Sequence, residues 1–407
     1  MKERKEEGRL ICFLPSLYII AVTLIPILGF GSKGSSLNTY LKALVFVAFF
    51  LSNFAAGGLA LSRNIRGLCI LSLYFVSQIM VLFKGTAPID IVSFLVQTAM
   101  IALLYLKYPL LKVRIVNIEK GIWLYILFNF VAIGYNLIKH FSRYISFSFI
   151  THIYYDMYSF FDNKNTYGIV LFIGYILLFI EMELSRNRNT SSKKLIVVLI
   201  VIQFVSIMTS SCRTALLCSA VFTLMWLLLI RQNAKKVLLC LLLVLLCFCV
   251  FLVPEIKRYI LYVLMRVDVD TFRDVIIEGA RHLIAESPLF GYGEGGWNAY
   301  LDFFGGNMYS HNGYLSVLLT GGIIYFLAYI MIAISCVKDA FAVMKRNHDI
   351  ALTFIFAFIT FGIYSMYEGI IICGTSSANF SFCYAAIILP KLISNALEYN
   401  TRCQHDA

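Results

Sequence analysis

An all-α, polytopic membrane protein is the fold class this sequence predicts, and three observations predict it. Of 407 residues, 60% are hydrophobic and 15% aromatic, while only 14% are charged, against about a quarter in soluble domains. Apolar runs near twenty residues recur from end to end, each long enough to cross a hydrocarbon core of about 30 Å. Lysines and arginines bring the formal charge to +12, yet they sit in short connectors. That pattern is a topology signal and argues against a nucleic-acid partner. Backbone groups left unpaired in lipid are costly, so the runs must be helices.

The chain opens "MKERKEEGRLICFLPSLYII", a charged segment followed by an apolar one. A cleaved signal peptide competes with a membrane helix here. The apolar stretch continues to Phe30 without a small-residue cleavage site, so an uncleaved first helix is expected. Further helices are expected at roughly 39–61, 67–83, 88–106, 121–138, 165–183, 195–209, 213–230, 236–254, 312–337, 349–367 and 377–397, which with the first makes about twelve. Together they form a single integral membrane domain over 1–407. Of the eleven cysteines, Cys240, Cys247 and Cys249 lie inside an apolar run, where the thiol acts as a small hydrophobe. No pair has metal-ligand spacing in a polar segment, and no cofactor is expected.

With Lys2, Arg4, Lys5 and Arg9 cytoplasmic, alternate connectors should be basic. They carry Arg63 and Arg66; Lys107, Lys112, Arg114 and Lys120; Arg186, Arg188, Lys193 and Lys194; Arg231, Lys235 and Lys236; Lys338, Lys345 and Arg346. The opposite short connectors hold only Lys33, Lys84 and Arg213. Both termini are therefore expected in the cytoplasm. Two outward connectors are long. One, about 139–164, is rich in aromatics, and the other, about 255–311, is the largest polar segment.

Within the second, "TFRDVIIEGARHLIAES" predicts an amphipathic helix. Thr271 and Asp274 make a capping box. Phe272, Ile276, Ala280 and Leu283 or Ile284 form the apolar face, Asp274, Glu278, Arg281 and His282 the polar one. Pro288 marks the stop. A Gly-rich stretch, "GYGEGGWNAYLDFFGGN", leads back to the membrane. Long loops on a rigid scaffold often carry function.

Several polar residues ask for a role, and each has a plain alternative. Arg213 sits where two helices meet, facing either a cavity or anion or the lipid headgroups by snorkelling. Asn163 and Asn165 precede or begin a helix, where capping accounts for one of them. Arg266, Arg273 and Arg281 suit bidentate phosphate contacts or a solvated helix face. His311, followed by Asn312, is either an interfacial histidine or a base. Glu368 is an ionisable group close to the membrane. The expected topology brings all of them to the outer face. A cationic cleft there with one imidazole suits a lipid-linked phosphate or pyrophosphate.

These motifs resemble the bacterial O-antigen polymerases and O-antigen ligases, membrane glycosyltransferases of the type C fold. An Asn-x-Asn-x-x-Gly element matches Asn163, Asn165 and Gly168. A Ser-x-Ser-Arg-Thr-Ala element matches Ser210 to Ala215, with Cys212 in place of the second serine. A Pro-Leu-Phe-Gly-x-Gly turn matches Pro288 to Gly293, and a His-Asn pair with a later glycine matches His311, Asn312 and Gly321. The resemblance spans about residues 160 to 335, while the first 150 offer only helices.

The resemblance implies a metal-independent transfer on the external face of the cytoplasmic membrane. The donor is a glycan on undecaprenyl pyrophosphate. A sugar hydroxyl of the acceptor attacks the anomeric carbon with inversion, and lipid pyrophosphate leaves. Arg213 and Arg281 are implied as pyrophosphate-neutralising residues, with Arg273 in reserve. His311 accepts the proton or orients the acceptor, and Asn163, Asn165, Asn312 and Glu368 bind substrate. Membrane lipid, a flippase and a chain-length regulator are the implied partners.

Three functions remain in view. The first is a polymerase joining repeat units of a capsule or of the O-antigen of lipopolysaccharide, favoured because no separate acceptor domain is recognisable. The second is a ligase moving finished glycan to another acceptor. A flippase is the third, although transporters place polar sites near the midplane and often carry internal repeats.

Overall fold

The computed structural model describes residues 12–13, 16–17, 20, 47, 62–84, 91–107, 113–146, 148, 157–161, 163–186, 190–230, 273–293, 311–371 and 377–405. The expected spans 39–61 and 236–254 lie outside these residues, as does most of 11–30. So do Thr271, Arg266 and the Gly-rich stretch after Gly293. Among the described residues every regular element is helical. In order they are α1 (Ile65–Lys84), α2 (Ile91–Ala102), α3 (Ile115–Lys139), α4 (Phe141–Ile145), α5 (Lys164–Leu184), α6 (Thr190–Thr209) and α7 (Arg213–Leu229). Then come α8 (Arg273–Glu286), α9 (Gly313–Met344), α10 (His348–Tyr367), α11 (Ser377–Cys383) and α12 (Leu389–His405). Wider π turns follow α2 at Leu103–Lys107 and α11 at Tyr384–Ile388.

Among the described residues, five helical stretches are long and apolar enough to cross a membrane: Ile115–Lys139, Lys164–Leu184, Gly313–Met344, His348–Tyr367 and Ala378–Glu398. With the hydropathy of the whole chain, they make this a membrane protein. The described residues of the expected helices at 67–83, 88–106, 121–138, 165–183, 195–209, 213–230, 312–337, 349–367 and 377–397 are helical except at two ends, Ile230 and Asn312, while 88–90 lie outside the described residues. The aromatic connector at 139–164 is not wholly irregular, because α4 forms directly after His140.

The chain forms two compact units. One comprises residues up to Leu124, Phe272–Arg346 and Ser365 onward, and the other Tyr125–Thr271 with Asn347–Tyr364.

In the second unit α5 is the central helix. Every residue from Tyr167 to Glu181 is buried, as expected of a helix apolar on all faces. It packs against α6 and α7. The hydrophobic effect supplies no drive between helices in lipid, so hydrogen bonds and close packing hold them. The Gln203 amide of α6 donates to the Leu171 carbonyl at 2.8 Å and to Asn129 Oδ1 at 3.2 Å. Asn129 in turn donates to the Tyr125 carbonyl at 3.0 Å. Three helices are thereby joined through buried side chains. Rings of Phe179, Phe222 and Trp226 pack edge to face beside this joint.

In the first unit α9 packs along α1 and against α8 and α12. Tyr325 donates to Gln97 Oε1 at 3.1 Å and meets the Tyr74 ring edge-on at 5.0 Å. Lys391 of α12 pairs with Asp339 of α9 at 2.5 Å and lies over the Tyr105 ring.

Helix α9 is longer than the expected 312–337 and is broken. Gly322 has φ 61° and ψ −159°, so the hydrogen-bond ladder stops there. The 22 residues from Ile323 to Met344 span about 33 Å at 1.5 Å per residue, enough for a membrane on their own. A break in a helix leaves carbonyls and N–H groups unpaired, and apolar surroundings make that expensive. The turn after α8 supplies the missing partners. Tyr292 and Gly293 donate their N–H groups to the carbonyls of Leu319 and Thr320 at 2.8 and 2.7 Å. Ile323 and Ile324 donate to the carbonyls of Pro288 and Leu289 at 2.8 and 3.3 Å. Four backbone bonds splice the turn into the break.

The splice requires glycine on both sides. Gly291 has φ 60°, and a Cβ there would lie 2.5 Å from the Leu319 carbonyl oxygen. A Cβ on Gly322 would overlap the Leu289 carbonyl. Gly322→Ala should therefore destabilise the protein by about 2 kcal/mol or more. Gly134 of α3 has open space around its Cα, so Gly134→Ala should be neutral or stabilising by up to about 1 kcal/mol. Thermal unfolding of the two purified variants in the same detergent tests the contrast.

Candidate functional site

The residues singled out in the sequence fall into two clusters, one in each unit. In the first unit Asn312 begins α9. Its Oδ1 accepts from the N–H groups of Tyr314 and Leu315 at 3.0 and 3.1 Å, satisfying two of the donors that every helix start leaves open. Its Nδ2 donates to the Met366 carbonyl at 3.2 Å. One side chain thus caps α9 and ties it to the end of α10. Gly313 sits where the Ile370 backbone crosses the helix start, leaving no room for a Cβ.

These contacts aim His311. The residue has φ 45°, a left-handed conformation uncommon for a side chain of this size. Strained positions of this kind are held only where the surroundings over-determine them, and they concentrate at functional sites. The imidazole Nδ1 lies 3.8 Å from Glu368 Oε2. Its side chain is 38% exposed, while that of Glu368 is 9% exposed. With the carboxylate behind the ring and solvent in front, the imidazole can meet a molecule arriving from solvent.

On α8, Ile276, Ala280 and Leu283 are buried with Tyr292 and Leu319, and Ile284 and Leu315 pack against them. Over the described residues this is the apolar face the sequence pattern predicts, while Phe272 lies outside them. Tyr292 closes the helix end, its hydroxyl donating to the Leu283 carbonyl at 3.1 Å and to Glu286 Oε2 at 2.9 Å. Burial, then the adjoining carboxylate, pushes this phenol up to about 12. Arg281 lies on the exposed face, 3.7 Å from Glu278, a solvent-screened pair of small energetic weight. Arg273 is the first residue of α8, and its side chain lies outside the described residues.

In the second unit Asn163 caps α5, accepting from the Thr166 N–H at 2.8 Å. That is the capping role the sequence allowed for one asparagine. Asn165 is half-buried in the first turn of the same helix. Ser210 to Cys212 make the turn between α6 and α7. Ser211 has φ 56°, and Ser210 Oγ donates to the Ile207 carbonyl at 2.7 Å and accepts from the Cys212 N–H at 3.3 Å. Cys212 occupies the N-cap position of α7, and Arg213 is the first residue of the helix, half-buried. The Cys212 side chain sits against Gly168 of α5, where a Cβ would lie 2.5 Å from both Cys212 Cβ and Sγ. The Asn-x-Asn-x-x-Gly and Ser-x-Cys-Arg-Thr-Ala motifs are therefore packed directly on one another. Sequence separation of 44 residues between Gly168 and Cys212 hid this contact.

Residues 196–330 match the family model described as Wzy_C: O-Antigen ligase. Over this segment, about a third of the chain, the sequence is similar to that family. The matched span contains Arg213, the Pro288–Gly293 turn, Arg281, His311 and Asn312. Asn163, Asn165 and Glu368 lie beyond it. No curated protein matches the chain.

The double role of Asn312 can be separated. Asn312→Asp retains the acceptor that caps α9 but loses the donor to Met366. Asn312→Ala loses both and should cost about 1–2 kcal/mol, with the aspartate variant losing less than half as much. Thermal unfolding of the purified variants measures both, and equal losses would mean that the Met366 tie outweighs the cap.

Proposed function

We propose that this protein polymerises oligosaccharide repeat units carried on undecaprenyl pyrophosphate, at the outer face of the bacterial cytoplasmic membrane. The observation that carries this reading is the His311–Glu368 pair at the capped start of α9, with His311 inside the segment similar to the O-antigen ligase family and Glu368 beyond it. In the proposed step His311 takes the proton from a sugar hydroxyl of the acceptor. The hydroxyl oxygen bonds to the anomeric carbon of the donor glycan. The bond from that carbon to the pyrophosphate oxygen breaks, and the leaving pyrophosphate keeps the electron pair. Glu368 stabilises the imidazolium that forms, a role that pre-organises charge where it develops.

Arg213 is the residue proposed to neutralise the leaving pyrophosphate. Its position at the start of α7 supports this, since helix N-termini favour anions. Arg281 and Arg273 are proposed as second cations from α8, with Asn163, Asn165 and Asn312 contributing polar contacts to the glycan. Donor and acceptor in a polymerase belong to the same chemical class, so one set of residues recognises one kind of molecule. A flippase and a chain-length regulator are the proposed protein partners. The family description itself favours a second reading, a ligase that passes finished glycan to a different acceptor.

The test is a glycan length profile in a deletion strain of the host, complemented with each variant at matched protein level. His311→Ala should reduce polymer by about a hundredfold or more, and Arg213→Ala by a similar factor. Glu368→Gln should reduce it by at least about tenfold. Arg213→Lys should be poorly tolerated where the contact is bidentate. A single repeat unit in the deletion strain, with a ladder restored only by wild type, supports the polymerase. Full-length chains accumulating on the lipid carrier indicate the ligase. Long chains retained in His311→Ala remove that residue from the chemistry.

A further inference from the structure

Arg213 is placed by a contact that the motifs do not show. The turn before it is held by the Ser210 hydroxyl, with Ser211 in the left-handed region, while the Cys212 side chain at the N-cap position makes no capping hydrogen bond to α7. What Cys212 does make are two side-chain contacts of another kind. Its Sγ fits the notch at Gly168, and the same Sγ lies 3.5 Å from the Tyr364 hydroxyl of α10. Tyr364 is fully buried, and its ring stacks on Phe172 at 5.8 Å with planes 14° apart. Phe172 belongs to α5, one turn beyond Gly168, and also meets Phe361 edge-on. Nearly two turns further along, Cys218 of α7 donates to the Thr360 carbonyl of α10 at 3.4 Å. Two thiols on α7 thus register its first turns against α10, and the Phe172–Tyr364 stack locks α10 to α5.

We infer that Tyr364, acting through the Cys212 thiol seated on Gly168, is a positioning residue for Arg213. The inference rests on the reading that Arg213 meets the leaving pyrophosphate. The thiol fills the gap between Gly168 and Tyr364 and keeps a polar contact with the phenol. The first residue of α7 directly follows this spacer, so its place is set by the spacer's seat.

The experiment uses the full-length protein in liposomes with lipid-linked repeat units extracted from the deletion strain. Tyr364→Phe keeps the stacked ring and removes only the hydroxyl. It should lower kcat by about three- to tenfold with KM unchanged, because a small displacement of a catalytic group acts on the reacting geometry. In an Arg213→Lys background the same change should have no further effect, the mark of residues acting as one unit. Gly168→Ala should cost about tenfold or more. Adding Cys212→Gly, tolerable at an N-cap, should recover most of that loss.

A Tyr364→Phe loss that adds in full to Arg213→Lys overturns the inference, as does wild-type turnover by Gly168→Ala. Either result leaves the functional reading standing. Full polymer from Arg213→Ala sinks both together, and that outcome is read independently of Tyr364.

Discussion

The architecture of the first unit depends on how a broken membrane helix keeps its backbone paired. Helix α9 stops its ladder at Gly322, and four bonds from the turn at 288–293 replace what the break removes. Neither element is complete alone. The turn has positive φ at Gly291 and Gly293 and would expose its own amides without Leu319 and Thr320 to accept them. The helix would leave a carbonyl pair and an amide pair in apolar surroundings. Since α8 ends directly in this turn and His311 directly precedes α9, the splice fixes the arginine-bearing helix relative to the histidine within one unit.

The second unit solves a similar problem with side chains. Its central helix is buried on every face, and close approach at Gly168 lets α7 start beside it. The reactive candidates at both sites share a design. Each lies at, or two residues after, a residue with φ near 50°: His311 itself, and Arg213 after Ser211. Strain at these points is borne by buried packing close by: the Phe172–Tyr364 stack in one unit, and the Asn312 cap with the Gly313 crossing in the other.

Much of the helical pattern was legible from apolar run length, because lipid imposes a minimum span. The ends were less so. The sequence reading closes α9 near Lys338 and Asp339, where charge begins, yet the helix continues to Met344. Asp339 is tolerated there because Lys391 pairs with it. A partner 52 residues away leaves no local trace. The amphipathic period of α8 predicted its buried and exposed faces correctly, since that signal is contained in the segment itself. At the sites, each candidate stood out by type and spacing, but the contacts between motifs did not. Cys212 reads in sequence as a lost hydroxyl, whereas in the fold its volume is what matters. Tyr364 carries no sequence signal at all, being one aromatic among many in an apolar helix.

The splice also defines a unit of inheritance. Efforts to alter sugar preference in such proteins naturally exchange the long polar loop between relatives. A graft ending anywhere between Gly293 and Leu319 would part the turn from the helix break that completes it, and both halves would be left with unsatisfied backbone. The smallest exchangeable cassette in this chain therefore runs from the end of α8 through Ile324, carrying His311 with it.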